Sequence, residues 1–132
     1  MVEITWGDSA GETAAVSVDE LKGRLIELDR LAVERPFIVD VTIDSGDTIS
    51  IALGRETSVL NYISASKKMP PYLVSKGGSP APDAGVVRFG YFGSMTEFPN
   101  WQAIPRSDAL EAVCSFFVAA GTLPENVLWI EV

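Results

Sequence analysis

The strongest constraint on the fold is a change of hydrophobic period at residue 36. Before it, apolar side chains recur at steps of three and four, which predicts a helix with one apolar stripe: Val18, Leu21, Leu25, Leu28 and Ala32. Ser17 and Glu20 have the Ser-x-x-Glu spacing of a capping box, so we expect the helix to begin at Ser17. Pro36 ends it near Arg35, because the residue before a proline avoids helical angles.

After the proline, the apolar residues follow a period of two. Two successive strands are predicted, with these side chains facing inward: Phe37, Val39, Val41 and Ile43, then Ile49, Ile51 and Leu53. The segment 44–47, Asp-Ser-Gly-Asp, is typical of a hairpin loop. Such clean alternation predicts an antiparallel sheet with one face on the core and one face in water.

The rest of the chain predicts shorter strands and two loops. We expect strands over 2–6, 58–64, 86–92 and 127–132, a loop over 67–85 with a short extended piece at 72–75, and a loop over 93–104. A second helix is expected from about Pro105, with Gly121 as its C-terminal cap and an inner face formed by Ala109, Ala112, Val113, Phe116, Phe117 and Ala120.

This order of elements predicts one α+β domain over residues 1–132. It would consist of a single antiparallel sheet of about five or six strands, with the two helices packed on one face.

Missing residue types exclude most catalytic chemistry. The chain has no histidine and one cysteine, Cys114, so it lacks an imidazole base, a His-based metal site and an internal disulfide. We expect Cys114 to be an inert, buried thiol. Asp40, Asp44 and Asp47 could resemble a glycosidase pair or a cation site, but aspartates are also what a tight hairpin loop requires. We therefore predict no enzymatic activity, no catalytic residue, no metal and no cofactor.

The charge points to a basic partner. The net charge is -8, which disfavours direct binding to nucleic acid and favours a basic protein. One basic island interrupts the acidic chain, because residues 66–90 carry a single acid, Asp83, against Lys67, Lys68, Lys76 and Arg88. No signal peptide or membrane-spanning run is visible, so we expect a cytoplasmic protein without membrane contact.

Aromatic residues in irregular segments are the candidates for partner binding. The 91–101 segment is rich in aromatics and contains Glu97, a composition found at protein interfaces. We expect Tyr72 and Trp101 to be apolar anchors, Glu97 to meet a partner arginine or lysine, and Lys76 to meet an acidic rim. Alternatively, Glu97 caps Trp101 or the loop backbone, and Trp101 is buried under the second helix.

The C-terminal half resembles a known family. Its segments occur in one order and spacing: Thr96-Glu97-Phe98-Pro99, Ile104-Pro105, Phe116-Phe117, Gly121-Thr122-Leu123-Pro124 and Val127-Leu128-Trp129. Together with the 72–77 segment, they resemble bacterial polymorphic-toxin immunity proteins, which are encoded beside secreted nucleic-acid deaminase toxins. The resemblance covers about residues 60–132, while residues 1–59 agree mainly in the order of their elements.

The resemblance implies a cytoplasmic, non-enzymatic inhibitor. Such a protein would bind one cognate deaminase toxin domain in a one-to-one complex, occlude its active site or nucleic-acid groove, and be a monomer when free. Two other functions stay open at this point. One is a non-catalytic adaptor or regulatory subunit that binds another basic protein, and the other is a hydrolase that uses carboxylates alone.

Overall fold

The structure, a computed structural model, describes residues 2–6, 11–65, 72–77, 85–91 and 94–131. Within these residues the chain forms two α-helices, eleven strands and one 3₁₀ turn. The helices are α1 (Val18–Ala32) and α2 (Arg106–Val118), and the 3₁₀ turn is Asn100–Gln102. The strands are β1 (Val2–Trp6), β2 (Gly11–Ala15), β3 (Phe37–Thr42), β4 (Thr48–Leu53), β5 (Thr57–Ser58), β6 (Leu60–Ile63), β7 (Tyr72–Lys76), β8 (Val86–Tyr91), β9 (Ser94–Pro99), β10 (Ile104–Pro105) and β11 (Leu128–Glu131).

Helix α1 begins where its capping signal predicts. The backbone N–H of Glu20 donates to Ser17 Oγ at 3.2 Å, and the Glu20 carboxylate accepts from the backbone N–H of Val16 at 2.9 Å. Val18 is half-buried, and the rest of the predicted stripe is buried: Leu21, Leu25, Leu28 and Ala32. The predicted start of the helix and its apolar face are therefore confirmed, whereas the helix ends at Ala32, three residues before the predicted end near Arg35.

Nine strands form one sheet. Its central path runs β11-β7-β6-β4-β3-β1-β2, and all neighbours on this path are antiparallel. The β8–β9 hairpin joins the path through one parallel pair, Phe37 with Gly90. The remaining strands, β5 and β10, form a separate two-stranded sheet.

The prediction of five or six strands was wrong, although the α+β class and the two helices are confirmed. Strand β2 reads Gly-Glu-Thr-Ala-Ala and has no large apolar side chain, so its sequence carries no period-two signal. Strand β9 lies within the predicted 93–104 loop, because only Thr96 and Phe98 face inward and Met95 is 65% exposed. The short extended piece at 72–75 is β7, an interior strand between β6 and β11.

The main core lies between both helices and one face of the sheet, here called the helix face. The inward positions predicted for the two strands after Pro36 are buried there: Val39, Val41, Ile43, Ile49, Ile51 and Leu53. Val2 and Ile4 of β1 and Leu60 of β6 complete the contribution of the sheet. Phe37 and Trp6 are half-buried against the same core. The Tyr62 ring meets Phe116 of α2 edge-on, with 6.1 Å between ring centroids.

The opposite face of the sheet is here called the far face. The prediction that it is exposed to water was wrong for part of this face. The β8–β9 hairpin folds over part of it and encloses a second, smaller core of Ile38, Ala52, Val59 and Phe89. Partly buried Val87, Tyr91 and Phe98 pack against this core from the hairpin. The sheet is therefore covered by helices on one face and by its own hairpin on part of the other.

Asp29 connects both helices to the end of β4. Its Oδ1 accepts from the backbone N–H of Gly54 at 2.9 Å, and its Oδ2 lies 3.2 Å from Nη1 of Arg106. Gly54 has a φ of +101°, and a Cβ there would lie 2.2 Å from the carbonyl oxygen of Ala32. Only glycine fits this close approach between β4 and the end of α1.

Helix α2 begins after Pro105 as predicted, but its end differs by one residue. The backbone N–H groups of Ala120 and Gly121 donate to the carbonyls of Phe117 and Phe116, which is the Schellman pattern. Ala120, the first residue after the C-terminal cap of α2, adopts the left-handed conformation with a φ of +52°. Ala120 is exposed and does not lie on the inner face as predicted. The buried inner face consists of Ala109, Ala112, Val113 and Phe116.

Replacing Leu25 with alanine should destabilise the fold by about 2–5 kcal/mol, because the side chain is fully buried and its loss leaves a cavity under α1. Urea unfolding of Leu25→Ala against wild type measures this difference. Leu31→Ala, at an exposed position of the same helix, is the matched control and should change stability by less than about 0.5 kcal/mol. Equal effects of the two variants would contradict the assignment of the buried face.

Replacing Ala120 with glycine should stabilise the fold by about 0.5–1 kcal/mol, because glycine adopts the left-handed conformation without a Cβ penalty. Thermal and urea unfolding of Ala120→Gly measure the gain. Gly121→Ala is the opposite control and should destabilise, since its φ is +103° and a Cβ would lie 3.1 Å from Ile43 Cδ1. A loss of stability in Ala120→Gly would contradict the proposed strain.

Candidate partner-binding surface

A groove of about 360 Å³ lies on the far face. One wall is the β8–β9 hairpin, and the floor and other wall come from β3, β4, β6 and β7. Its lining is mainly apolar and includes Ile38, Ile63, Tyr72, Val74 and Phe98. Ser50, Asn61 and Thr96 add polar side chains. A concave apolar site with a few polar groups is the usual form of a binding site.

Asp40 holds the hairpin against the sheet beside this groove. Its Oδ1 accepts from the Ser50 hydroxyl at 2.5 Å, and its Oδ2 accepts from the Tyr91 hydroxyl at 2.8 Å. Burial, together with the hydrogen bond to the negative Asp40 carboxylate, raises the pKa of Tyr91 to about 12. The Tyr91 hydroxyl therefore stays protonated at neutral pH and keeps donating to Asp40.

The 3₁₀ turn is fixed to the C-terminal end of β7, outside the groove lining. The backbone N–H of Gly77 donates to the carbonyl of Trp101 at 2.6 Å, and Ser75 Oγ donates to the carbonyl of Gln102 at 2.7 Å. Ser75 Oγ also accepts from the backbone N–H of Leu60 at 3.0 Å. A Cβ on Gly77 would lie 2.1 Å from a carbonyl oxygen, so glycine permits this approach.

Tyr72 is the predicted site residue that the structure places directly in the groove. It lies at the first position of β7, is 51% exposed, and pairs across the strands with Ile63, which is 42% exposed. Lys76 is exposed at the other end of the same strand, opposite Leu128 of β11. The other predicted basic residues of this segment, Lys67 and Lys68, and the acid Asp83 lie outside the described residues.

Glu97 and Trp101 lie apart from the groove lining. Glu97 is exposed on the outer side of the hairpin, where its carboxylate forms an ion pair with Arg88 at 3.0 Å. Trp101 is half-buried in the 3₁₀ turn, close to Lys76 through the contact of its carbonyl with Gly77. The structure therefore brings Trp101 near β7 and places Glu97 on a different face of the hairpin.

Sequence reasoning missed Asp40, Phe98 and Tyr91 as residues that build the groove. Phe98 and Thr96 face the groove because they alternate with Glu97 along β9, a strand that the sequence does not predict. Tyr91 was noted among the aromatics of its segment, but its bond to Asp40 spans 51 positions in the chain, and no local pattern indicates it.

Two of the three aspartates considered for catalysis, Asp40 and Asp47, have separate structural roles. Asp40 binds the hairpin, and Asp47 Oδ1 accepts from the backbone N–H of Ala65 at 2.9 Å. Within the described ranges, three or more Cys, Asp or Glu side chains do not come together as a metal site. Cys114 is a half-buried free thiol, and burial raises its pKa while Lys22 opposes that shift. Neither described helix has the length and apolar character that a membrane span requires.

Comparison with known families identifies the family to which this chain belongs. A family model described as Immunity protein Imm1 matches residues 9–131. The chain therefore belongs to the Imm1 family of immunity proteins, and the predicted resemblance to polymorphic-toxin immunity proteins is confirmed at the level of the family. The description does not name a toxin class, so a deaminase target stays a prediction. No curated protein matches the chain significantly.

Burial of Tyr91, together with its hydrogen bond to Asp40, should make stability fall in alkaline solution. Because the folded pKa of Tyr91 is about 12 and its ordinary value is 10.0, the stability from this group is complete below pH 10 and is lost as the pH rises through 12. Tyr91→Phe should remove this part of the pH dependence. Urea unfolding between neutral pH and pH 12 measures it, with Tyr72→Phe as the exposed control. A wild-type tyrosine titration in which Tyr91 ionises with its ordinary pKa of 10.0 would contradict the assignment.

Proposed function

We propose that this chain is the immunity protein of a secreted bacterial deaminase toxin and neutralises it by direct binding in the cytoplasm. The match of residues 9–131 to the Imm1 family is the observation that carries the proposal, because an immunity protein acts on a cognate toxin. The deaminase target, the one-to-one complex and the monomeric free protein are the finer parts of the proposal, and they follow from the resemblance of residues 60–132.

The net charge supports a target that works on nucleic acid. A deaminase must attract phosphates and therefore carries a basic substrate groove. A protein of net charge -8 is attracted to such a groove over a distance, which speeds association with the toxin. The same charge opposes direct contact between the immunity protein and nucleic acid.

Inhibition requires no chemistry from this chain. A nucleic-acid deaminase takes an extruded base into a pocket where a zinc-activated water attacks it. A bound protein that covers this pocket or the groove leading to it prevents the base from entering. We therefore expect the chain to inhibit stoichiometrically, without turnover, metal or cofactor of its own.

Co-expression and titration with the toxin test the proposal. The probe is the toxin domain encoded beside the gene for this chain, assayed for base deamination on single-stranded DNA, RNA and free nucleotides. Co-expression should restore growth of cells that produce the toxin, and activity should fall to zero at one equivalent of the immunity protein. Binding to a toxin that deaminates none of these substrates would contradict the deaminase assignment. Binding to a protein that is not a toxin would favour the adaptor function instead.

The partner-binding residues proposed from the sequence give a variant test. Trp101→Ala should weaken toxin binding about thirty-fold or more if Trp101 is an anchor, because truncating an anchor costs at least about 2 kcal/mol. Glu97→Lys should slow association if Glu97 meets a toxin base, although it also breaks the ion pair with Arg88. Arg88→Ala is therefore the matched control, since it breaks the same ion pair and leaves the carboxylate. Folded variants that inhibit like wild type would contradict a role for these two side chains.

A further inference from the structure

The register of the sheet arranges the far face by chemical type. Two rows of side chains cross the strands on this face: Glu12, Thr5, Asp40, Ser50, Asn61, Val74 and Ile130 in one row, and Ala14, Glu3, Thr42, Thr48, Ile63 and Tyr72 in the other. Both rows change in the same direction. Acidic side chains lie on β1, β2 and β3, and hydroxyl groups lie on β1, β3 and β4. Beyond Asn61, the far-face side chains of β6, β7 and β11 are mainly apolar, and Lys76 is exposed beside Leu128.

The acidic end of these rows has no basic side chain beside it, because Lys76, the base at the described far-face positions of the central path, lies at the other end on β7. Glu3 and Glu12 are exposed, and the far-face positions of β1, β2 and β3 that the structure describes hold no lysine or arginine. Asp40 adds a third carboxylate beside the groove and accepts hydrogen bonds from Ser50 and Tyr91. Negative potential is therefore concentrated at one end of the face.

The apolar end is open where the hairpin does not reach it. Ile63 and Tyr72 are adjacent across β6 and β7, and Leu128 of β11 is 65% exposed on the same face. The groove lies between this apolar end and the hairpin. Exposed apolar side chains that adjoin one another and a groove are typical of an interaction site, whereas single ones are ordinary.

We propose that the far face is the surface that the toxin occupies, and this inference rests on the proposed function. The occupant is a segment of the basic toxin that places a large apolar side chain in the groove over Ile63 and Tyr72 and an arginine or lysine against Glu3 and Glu12. Three to four strand spacings separate Glu3 from Ile63 and Tyr72, which is about 14–19 Å. In an extended toxin segment, the two side chains would be about four to six residues apart.

Charge complementarity favours this occupant over other classes. A nucleic acid would bring phosphates against Glu3, Glu12 and Asp40, which repel it. A second copy of this chain would bring the same three carboxylates against one base on the described far-face strand positions, Lys76 of β7, so two such faces would together stay negative. A basic protein segment with an apolar side chain matches both ends of the face at once.

Two variants on the far face and two controls on α1 test the inference. Tyr72→Ala removes the apolar contact, and Glu3→Lys reverses the charge. Leu31→Ala and Glu27→Lys make comparable changes at exposed positions of the helix layer. The probe is the toxin domain with its catalytic glutamate replaced, and calorimetry with stopped-flow mixing at several salt concentrations gives affinities and rates.

Tyr72→Ala should weaken binding about thirty-fold or more, mainly through faster dissociation. Glu3→Lys should slow association, with a smaller effect at high salt, because the charge acts by attraction at a distance. Both controls should bind within about two-fold of wild type. Circular dichroism and urea unfolding establish that all four variants are folded.

Amide hydrogen exchange gives a second measurement that does not depend on variants. The toxin should protect peptides from β6, β7 and β9 and leave the exposed side of α1 unchanged. A toxin that binds wild type while all four variants bind equally would overturn the far-face assignment and leave the proposed function standing. Failure of wild type to bind would contradict the proposed function itself. A wild-type dimer that Tyr72→Ala dissociates would assign the surface to a second copy.

Discussion

Burial of one sheet face under two helices is the constraint on which the rest of this structure depends. Side chains alternate between the two faces of a strand, so a shift of one residue would move Val39, Val41, Ile49 and Ile51 out of the core. Their burial under α1 and α2 therefore fixes the register of β3 and β4. Pairing with β3 and β4 then fixes the register of the neighbouring strands. It also determines which of their side chains lie on the far face.

The far face is thus defined by the core, although none of its exposed residues contributes to the main core. Asp40 faces away from the helices because Val39 and Val41 are buried beneath them, and this places its carboxylate where Ser50 and Tyr91 donate to it. The hairpin is positioned in the same way, since its inner residues pack on Ile38, a far-face neighbour of Asp40. Helix packing on one side consequently shapes the groove on the other.

Local sequence patterns predicted the parts of the fold in which one face is strongly apolar. The cap at Ser17, the stripe of α1, the alternation of β3 and β4 and the inner face of α2 were all visible because burial and period coincide in them. Strands β2 and β9 were not predicted, because their own side chains carry no period-two apolar pattern. They are strands because they pair with β1 and β8.

The candidate site was less predictable than the fold for the same reason. Tyr72 was identified from its type and its irregular surroundings, but its position in an interior strand came from the pairing of β7 with β6 and β11. The bond from Tyr91 to Asp40 and the docking of the 3₁₀ turn on Ser75 join residues distant in the chain. Such contacts follow from the tertiary arrangement and have no local signature.

The attachment of the β8–β9 hairpin has a consequence for how this scaffold can diversify. In the described part of the chain, one backbone pair, Phe37 with Gly90, links the hairpin to the central path, and side chains provide most of the remaining contact. Substitutions at positions 96 and 98 would alter the outline of the groove without interrupting the hydrogen bonds of the central strands. Related sequences could thus acquire new binding preferences by changing one hairpin while the scaffold that carries it is conserved.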